Sequence, residues 1–185
     1  MAHSNKELWL SFLACVLITA VYTFVAVWYR AIPAAGSLFG HAIGIIGFVL
    51  MLLAETTYSF RKRSRRARWG TMQSWLQFHI FTGLVGPFMV LLHSSWKFNG
   101  LAGATMLLTV IIVISGFVGR YIYTLIPRSL DGSELQTSEI QTAVIIRARR
   151  LMAIWHSIHI PIGIALFAAA FIHAGAALYY YTLLR

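Results

Sequence analysis

Four histidines recur at one spacing inside two apolar stretches of the chain. His79 and His93 lie 14 residues apart in one stretch, and His159 and His173 lie 14 residues apart in the other. In an α-helix, 14 residues make just under four turns and about 21 Å, so the two rings of a pair share one face. A neutral imidazole nitrogen is a common ligand for iron and other metal ions.

These spacings match the geometry of a membrane protein that holds two haems. A histidine inside a membrane span is costly unless it has a partner, so four of them indicate a function. Bis-histidine ligation of haem places one imidazole on each side of the macrocycle. We therefore predict two non-covalent b-type haems, an inner one held by His79 and His159 and an outer one held by His93 and His173.

Composition places the chain among polytopic membrane proteins. Of its 185 residues, 59% are hydrophobic and only 11% are charged. Because lipid cannot satisfy open backbone groups, the spanning segments are predicted to be helical. The single cysteine, Cys15, excludes an internal disulfide, a Cys-ligated iron–sulfur cluster and covalent haem attachment within these residues.

Five apolar runs predict an all-α membrane protein with one domain over residues 1–185. The second to fifth helices are predicted to form a four-helix bundle around the two haems. The predicted spans are 8–29, 38–58, 75–96, 101–126 and 151–184, and the loops predicted to be cytoplasmic are 59–74 and 127–150. In the second of these loops, a short helix starting near Ser133 is expected to lie on the membrane surface.

Basic residues predict the orientation. With both loops inside, twelve of the 15 Lys and Arg residues lie on the cytoplasmic side, and three lie outside. The N-terminus is then cytoplasmic and the C-terminus lies on the outer side of the cell (inner) membrane. The third and fifth spans run parallel, which pairs the histidines by leaflet. The basic residues behind the net charge of +10 cluster between apolar runs, so membrane orientation explains them better than nucleic-acid binding does. Attraction of anionic lipid head groups is the expected secondary role of the basic loop.

Three residues of the fourth span are candidates for further haem contacts. Arg120 requires an anionic partner, for which a propionate of the inner haem and a lipid phosphate are the alternatives. Gly103 and Gly116 lie 13 residues apart, and they could make room for the two macrocycles. Helix packing alone would also explain both glycines.

The remaining histidines of the spans suggest two other metal or ligand sites. His156 and His159 form an H-x-x-H pair typical of zinc, but the one intramembrane carboxylate, Glu55, is in another predicted helix. His156 is expected to be an interfacial residue that could bond a propionate. His41 lies near the outer surface, where it could serve a quinone site or be a partly hydrated interfacial residue.

The paired H-x13-H motifs, on two parallel helices separated by one glycine-containing helix, resemble the di-haem core of cytochrome b from the quinol-oxidising bc complexes. They equally resemble the membrane domain of the ferric reductase and NADPH oxidase superfamily. The resemblance covers about 38–184 and implies two b haems with electron transfer between them. Neither family's catalytic activity carries over, because these residues contain no counterpart of the flavin and nicotinamide domains or of the outer quinol site.

We therefore expect transmembrane electron transfer by the membrane subunit of a redox complex. With no nucleotide-binding motif of its own, the chain is expected to exchange electrons with a cytoplasmic redox protein, with other subunits, or with membrane quinone as a further cofactor. One alternative is a stand-alone quinone or ferric-chelate reductase, with His41 or Glu55 as the proton donor. Another alternative is a haem-free membrane anchor or transporter.

Overall fold

The computed structural model describes residues 5–63, 70–126 and 139–183, and these ranges are all-α. The helices are α1 (Lys6–Tyr29), α2 (Leu38–Arg63), α3 (Met72–His93), α4 (Gly100–Thr124) and α5 (Glu139–Leu183). Each is long and apolar enough to cross a membrane. The predicted helical class and number of spans are confirmed, and they indicate a multi-pass membrane protein. The four-helix haem bundle and the orientation stay predictions.

Helix α5 differs most from its predicted span, because it begins at Glu139 and not near residue 151. A separate surface helix was predicted before this span; its expected start, Ser133, lies outside the described residues. From Glu139 onward the helix runs without a break for 45 residues, or about 68 Å. A hydrocarbon core is about 30 Å thick, so part of α5 extends beyond it. Arg147 and Arg150 are exposed in its N-terminal part.

The five helices form two compact units, with α1, α2 and α3 in unit 1 and α4 and α5 in unit 2. In unit 1, buried side chains of α2 and α3 make the core: Ile43, Val85, Met89 and Leu92. Partly buried residues of α1 pack against this cluster: Ala14, Cys15, Ile18 and Tyr22. Most other side chains of α1 are exposed and apolar, as expected for a helix in contact with lipid.

Helices α2 and α3 are antiparallel and approach each other most closely at two glycines. A Cβ atom added to Gly47 would lie 2.9 Å from the carbonyl oxygen of Gly86, and one added to Gly86 would lie 2.8 Å from that of Gly47. Neither position has room for a side chain. Small residues allow this approach because packing, and not hydrophobic burial, drives helix association in lipid.

In unit 2, α4 and α5 are also antiparallel, and an aromatic side chain fits against a glycine. The indole of Trp155 on α5 occupies the space where Gly119 of α4 would carry a Cβ atom. One turn further along, the indole Nε1 donates a hydrogen bond of 2.7 Å to the carbonyl oxygen of Ser115. This contact joins the two helices of unit 2 beside His159.

The glycine contact of unit 1 predicts that Gly47→Ala destabilises the protein. The new methyl group would lie 2.9 Å from both Gly86 O and Met89 Cβ, so the two helices must separate. We expect a loss of about 1–3 kcal/mol, the usual cost of overpacking, measured by unfolding in mixed micelles. Gly83→Ala is the control, because its Cβ would have no atom within 4 Å. Equal stability of both variants would contradict the contact.

Candidate functional site

The two histidines of α3 both bond to the backbone of α2. His79 Nδ1 lies 2.7 Å from the carbonyl oxygen of Ala54. His93 Nδ1 lies 2.8 Å from the carbonyl oxygen of Gly40. A carbonyl oxygen has two lone pairs, so it can accept such a bond in addition to one from its own helix. Both rings are half-buried and held at fixed depths along unit 1.

These two bonds determine the tautomer of each ring. A carbonyl oxygen can only accept, so Nδ1 must carry the hydrogen in both His79 and His93. In a neutral ring the basic nitrogen is then Nε2. Metal-ligating histidines in proteins characteristically donate their other N–H to a carbonyl or carboxylate in this way. Both rings of α3 therefore have the chemical form required of an iron ligand.

The contacts between α2 and α3 repeat every seven residues in both helices. Gly40 and Ala54, which accept the two bonds, are 14 residues apart, as His79 and His93 are. The contact between Gly47 and Gly86 lies midway between them in both helices. Because seven residues make nearly two helical turns, all three contacts lie along one strip of each helix.

A third glycine of α2, Gly44, makes room for the His93 ring. A Cβ atom on Gly44 would lie 2.7 Å from both Cγ and Nδ1 of His93. Three glycines of α2 therefore have different roles: Gly44 fits against the His93 ring, Gly47 fits against the facing Gly86, and Gly40 supplies the carbonyl oxygen that His93 bonds.

His41 lies beside the same ring at this end of unit 1. The centroids of the His41 and His93 rings are 6.4 Å apart, with an angle of 50° between their planes. His41 is exposed, and its Nδ1 lies 3.1 Å from the carbonyl oxygen of Ser37 in its own helix. It is thus an accessible, ionisable group next to a candidate ligand.

On α5, His159 has a different kind of partner. Its Nδ1 lies 2.9 Å from the hydroxyl oxygen of Ser115 on α4. Trp155 is stacked on the ring, with centroids 4.5 Å apart and planes at 30°. The Trp155 indole also reaches Ser115 Oγ at 3.1 Å, in addition to its bond to the carbonyl of the same residue. His159 is therefore held between a hydroxyl and an aromatic face.

His173 lies half-buried on the same helix, 14 residues beyond His159. Within the described ranges no hydrogen bond joins its ring to another group. Because α4 and α5 are antiparallel, His173 lies towards the N-terminal end of α4. His79 and His93 belong to unit 1, whereas His159 and His173 belong to unit 2, so the predicted pairing of ligands stays a prediction.

The three further candidates on α4 have different surroundings. A Cβ atom on Gly103 would lie 2.8 Å from the carbonyl carbon of Phe98, so the chain before α4 already explains that glycine. A Cβ atom on Gly116 would have no atom within 4 Å. Gly116 therefore stays a candidate for making room for a haem macrocycle. Arg120 is half-buried one turn further along, and its contact with a propionate stays a prediction.

Zinc finds no support in the described part of the chain. No three His, Cys, Asp or Glu side chains there come together as ligands for a metal ion. Glu55 is exposed on α2 and accepts a long hydrogen bond of 3.4 Å from the Ser59 hydroxyl. His156 instead packs beside Trp155, with ring centroids 4.8 Å apart. A two-histidine site, as haem iron requires, needs no such cluster.

No protein-family model, curated protein or solved structure matches this chain. The geometry of the histidines therefore carries the argument for function. Sequence analysis missed three partners of these rings, Ala54, Ser115 and Trp155, and it missed Gly119, against which Trp155 packs. For Ala54 a signal exists, since Gly40 and Ala54 repeat the 14-residue spacing in the preceding span.

Gly44→Ala should displace His93 and leave His79 in place. The added methyl group would lie 2.7 Å from the His93 ring, so the ring must move away from the Gly40 carbonyl. We expect His93 to lose part of its Nδ1–H tautomer, measured by long-range ¹⁵N–¹H NMR correlations of the protein in micelles. His79 serves as the internal control. Unchanged spectra for both rings would contradict the described packing of Gly44.

Proposed function

We propose that this chain carries electrons across a membrane through two b-type haems, each held by two histidines. His79 and His159 would hold the inner haem, and His93 and His173 the outer one. The pairing comes from the sequence, in which the third and fifth spans run parallel and carry the same 14-residue spacing. Haem supplies a one-electron couple when it is bound, and the protein contributes position, burial and ligand strength.

The observation that carries the proposal is the state of the two α3 rings. Each donates Nδ1–H to a backbone carbonyl of α2, at 2.7 Å for His79 and 2.8 Å for His93. This bond orients the ring, selects Nε2 as the basic nitrogen and increases its basicity. His79 and His93 therefore have the same tautomer and the same kind of acceptor, about 21 Å apart along α3.

A purely structural role explains less of this pattern. One hydrogen bond across a helix pair would satisfy a buried imidazole at either position. It would give no reason for the same spacing to recur in α5, where His159 and His173 are again 14 residues apart. A purely structural role would also not explain the glycine at position 44, where a Cβ atom would collide with the His93 ring in its present orientation.

Other residues would orient the cofactor and control access to it. Gly116 leaves open space on α4, where a side chain would reduce the room for a planar group. Arg120, one turn away, would balance the charge of a propionate on the inner haem. Apolar side chains of the spans would exclude water and so raise the cost of charge on the iron.

The proposed setting is the cell (inner) membrane, with the N-terminus in the cytoplasm. The excess of Lys and Arg in the two predicted cytoplasmic loops supports that orientation. Electrons would pass to or from a cytoplasmic redox protein, other subunits of a complex or membrane quinone. The exposed arginines near the start of α5 add to a basic surface that would attract an acidic partner.

Alanine substitution of the four histidines tests the pairing. We expect His79→Ala and His159→Ala each to remove the same haem, because either change deletes one of its two axial ligands. We expect His93→Ala and His173→Ala to remove the other haem. Haem content per chain and the reduced-minus-oxidised difference spectrum measure both effects.

His156→Ala is the matched control in α5, because its ring packs beside Trp155 and it is a candidate for a propionate contact only, not for an axial bond to iron. It should keep both haems. Two haems retained in all four ligand variants would refute the pairing. Wild-type protein without a b-type difference spectrum would refute the cytochrome proposal and leave the haem-free anchor or transporter.

Direct reduction or oxidation of a small substrate is a second candidate function. The exposed His41 ring, 6.4 Å from the His93 ring, favours it. A quinone or ferric chelate that approaches this end of unit 1 would meet a proton donor close to the outer haem. Such activity would need no partner protein.

His41→Ala separates direct catalysis from transfer through a partner. If the isolated chain is a quinol oxidase or ferric-chelate reductase, we expect its turnover to fall about 100-fold, as for the loss of a general acid or base. Haem content should not change. Turnover equal to wild type in the variant would exclude His41 as the proton donor, and no turnover in either protein would favour a partner.

A further inference from the structure

The three proposed haem ligands that have a described Nδ1 hydrogen bond do not have equivalent partners. His79 and His93 face backbone carbonyls, which no substitution can remove. His159 faces the hydroxyl of Ser115, at 2.9 Å. Among these three, Ser115 is therefore the one partner that is a side chain, and it belongs to the adjacent helix of the same unit.

A hydroxyl differs from a carbonyl because it can either donate or accept. If His159 Nδ1–H donates to Ser115 Oγ, the basic nitrogen of the ring is Nε2, which is the form found in His79 and His93. If Ser115 donates to Nδ1, the hydrogen of the neutral ring lies on Nε2, and that nitrogen cannot bind iron. The Ser115 hydroxyl is thus able to hold His159 in either tautomer.

The Trp155 indole uses part of the accepting capacity of Ser115 Oγ, but it leaves both tautomers of His159 possible. An indole Nε1–H can only donate, and that of Trp155 lies 3.1 Å from Ser115 Oγ and 2.7 Å from the carbonyl oxygen of Ser115. The hydroxyl oxygen therefore receives part of one hydrogen bond from the indole. One lone pair and the hydroxyl hydrogen remain for the bond with His159.

We infer that Ser115 is a positioning residue that accepts the Nδ1–H of His159 and thereby sets the tautomer and the ligand strength of that ring. The inference deepens the proposed function and rests on it for the effect on haem. The two ligands of the inner haem would then have different acceptors, because His79 donates to a backbone carbonyl and His159 to a hydroxyl. A hydroxyl is a weaker acceptor than a backbone carbonyl, so His159 would be a weaker electron donor than His79.

The test is Ser115→Ala in the full chain. Without its acceptor, the Nδ1–H bond is less polarised, so the ring carries less negative charge and becomes a poorer donor to ferric iron. We expect both haems to be retained, with a rise in the midpoint potential of one haem only, measured by redox titration of the optical spectrum. Ser115→Thr keeps the hydroxyl and should restore the wild-type potential.

Ser157→Ala is the matched control, because Ser157 lies two residues from His159 but bonds at 2.7 Å to the carbonyl of Ile154 in its own helix. It should leave both potentials unchanged. Equal potentials in wild type and Ser115→Ala would overturn the inference. A shift as large in Ser157→Ala as in Ser115→Ala would also overturn it, because the effect would then come from general disturbance of α5.

A measurement on haem-free protein tests the role of Ser115 independently of the proposed function. Long-range ¹⁵N–¹H NMR correlations of His159 should report Nδ1–H in wild type and a gain of Nε2–H in Ser115→Ala. A protein that never binds haem but shows this change would refute the cytochrome proposal and support the role of Ser115. An Nε2–H tautomer in wild type would overturn that role even if two haems bind.

Discussion

The close approach of α2 and α3 is the constraint on which the candidate site in unit 1 depends. An imidazole can reach the backbone of a neighbouring helix only if the two axes are close together. The contact between Gly47 and Gly86 provides this closeness midway between the two histidines. Because both helices are stiff, contact at the centre brings His79 and His93 within reach of carbonyls two turns away on either side.

The same arrangement satisfies the energetic requirements of a membrane interior. An imidazole N–H without an acceptor is costly in a medium that contains no water. The carbonyls of Ala54 and Gly40 meet that requirement and also select the tautomer. Stability and the tautomers of both rings thus depend on one set of bonds, so a change that separates the helices would affect both.

In unit 2, side chains and not backbone carbonyls hold the histidine ring of His159. Trp155 fills the space over Gly119, and its indole bonds to Ser115, which in turn bonds to His159. A side-chain acceptor can be altered by a single substitution, whereas a backbone acceptor cannot. Unit 2 is therefore where a substitution can change the hydrogen bond of the proposed ligand His159 while the helix pair is preserved.

Much of the architecture was predictable because lipid leaves few choices. Runs of about 20 apolar residues imply helices when backbone groups cannot bond to water, so all five spans were found. The sequence predicted a separate surface helix before the fifth span, whereas α5 is one continuous helix from Glu139. The continuity was missed because the turns around Arg147 and Arg150 are too polar to be assigned to a membrane span by hydropathy.

By itself, the sequence determined the class of protein and the residues with ligand chemistry. A spacing of 14 between His79 and His93 specifies one helical face, because helical periodicity depends only on the backbone. Only the tertiary structure decided what each ring bonds to. The hydrogen-bond partners at Ala54 and Ser115 lie 25 and 44 residues away along the chain, and they come into reach only through packing between helices. The neighbours of each ring in space, and with them the tautomers of His79 and His93, cannot be obtained from local periodicity.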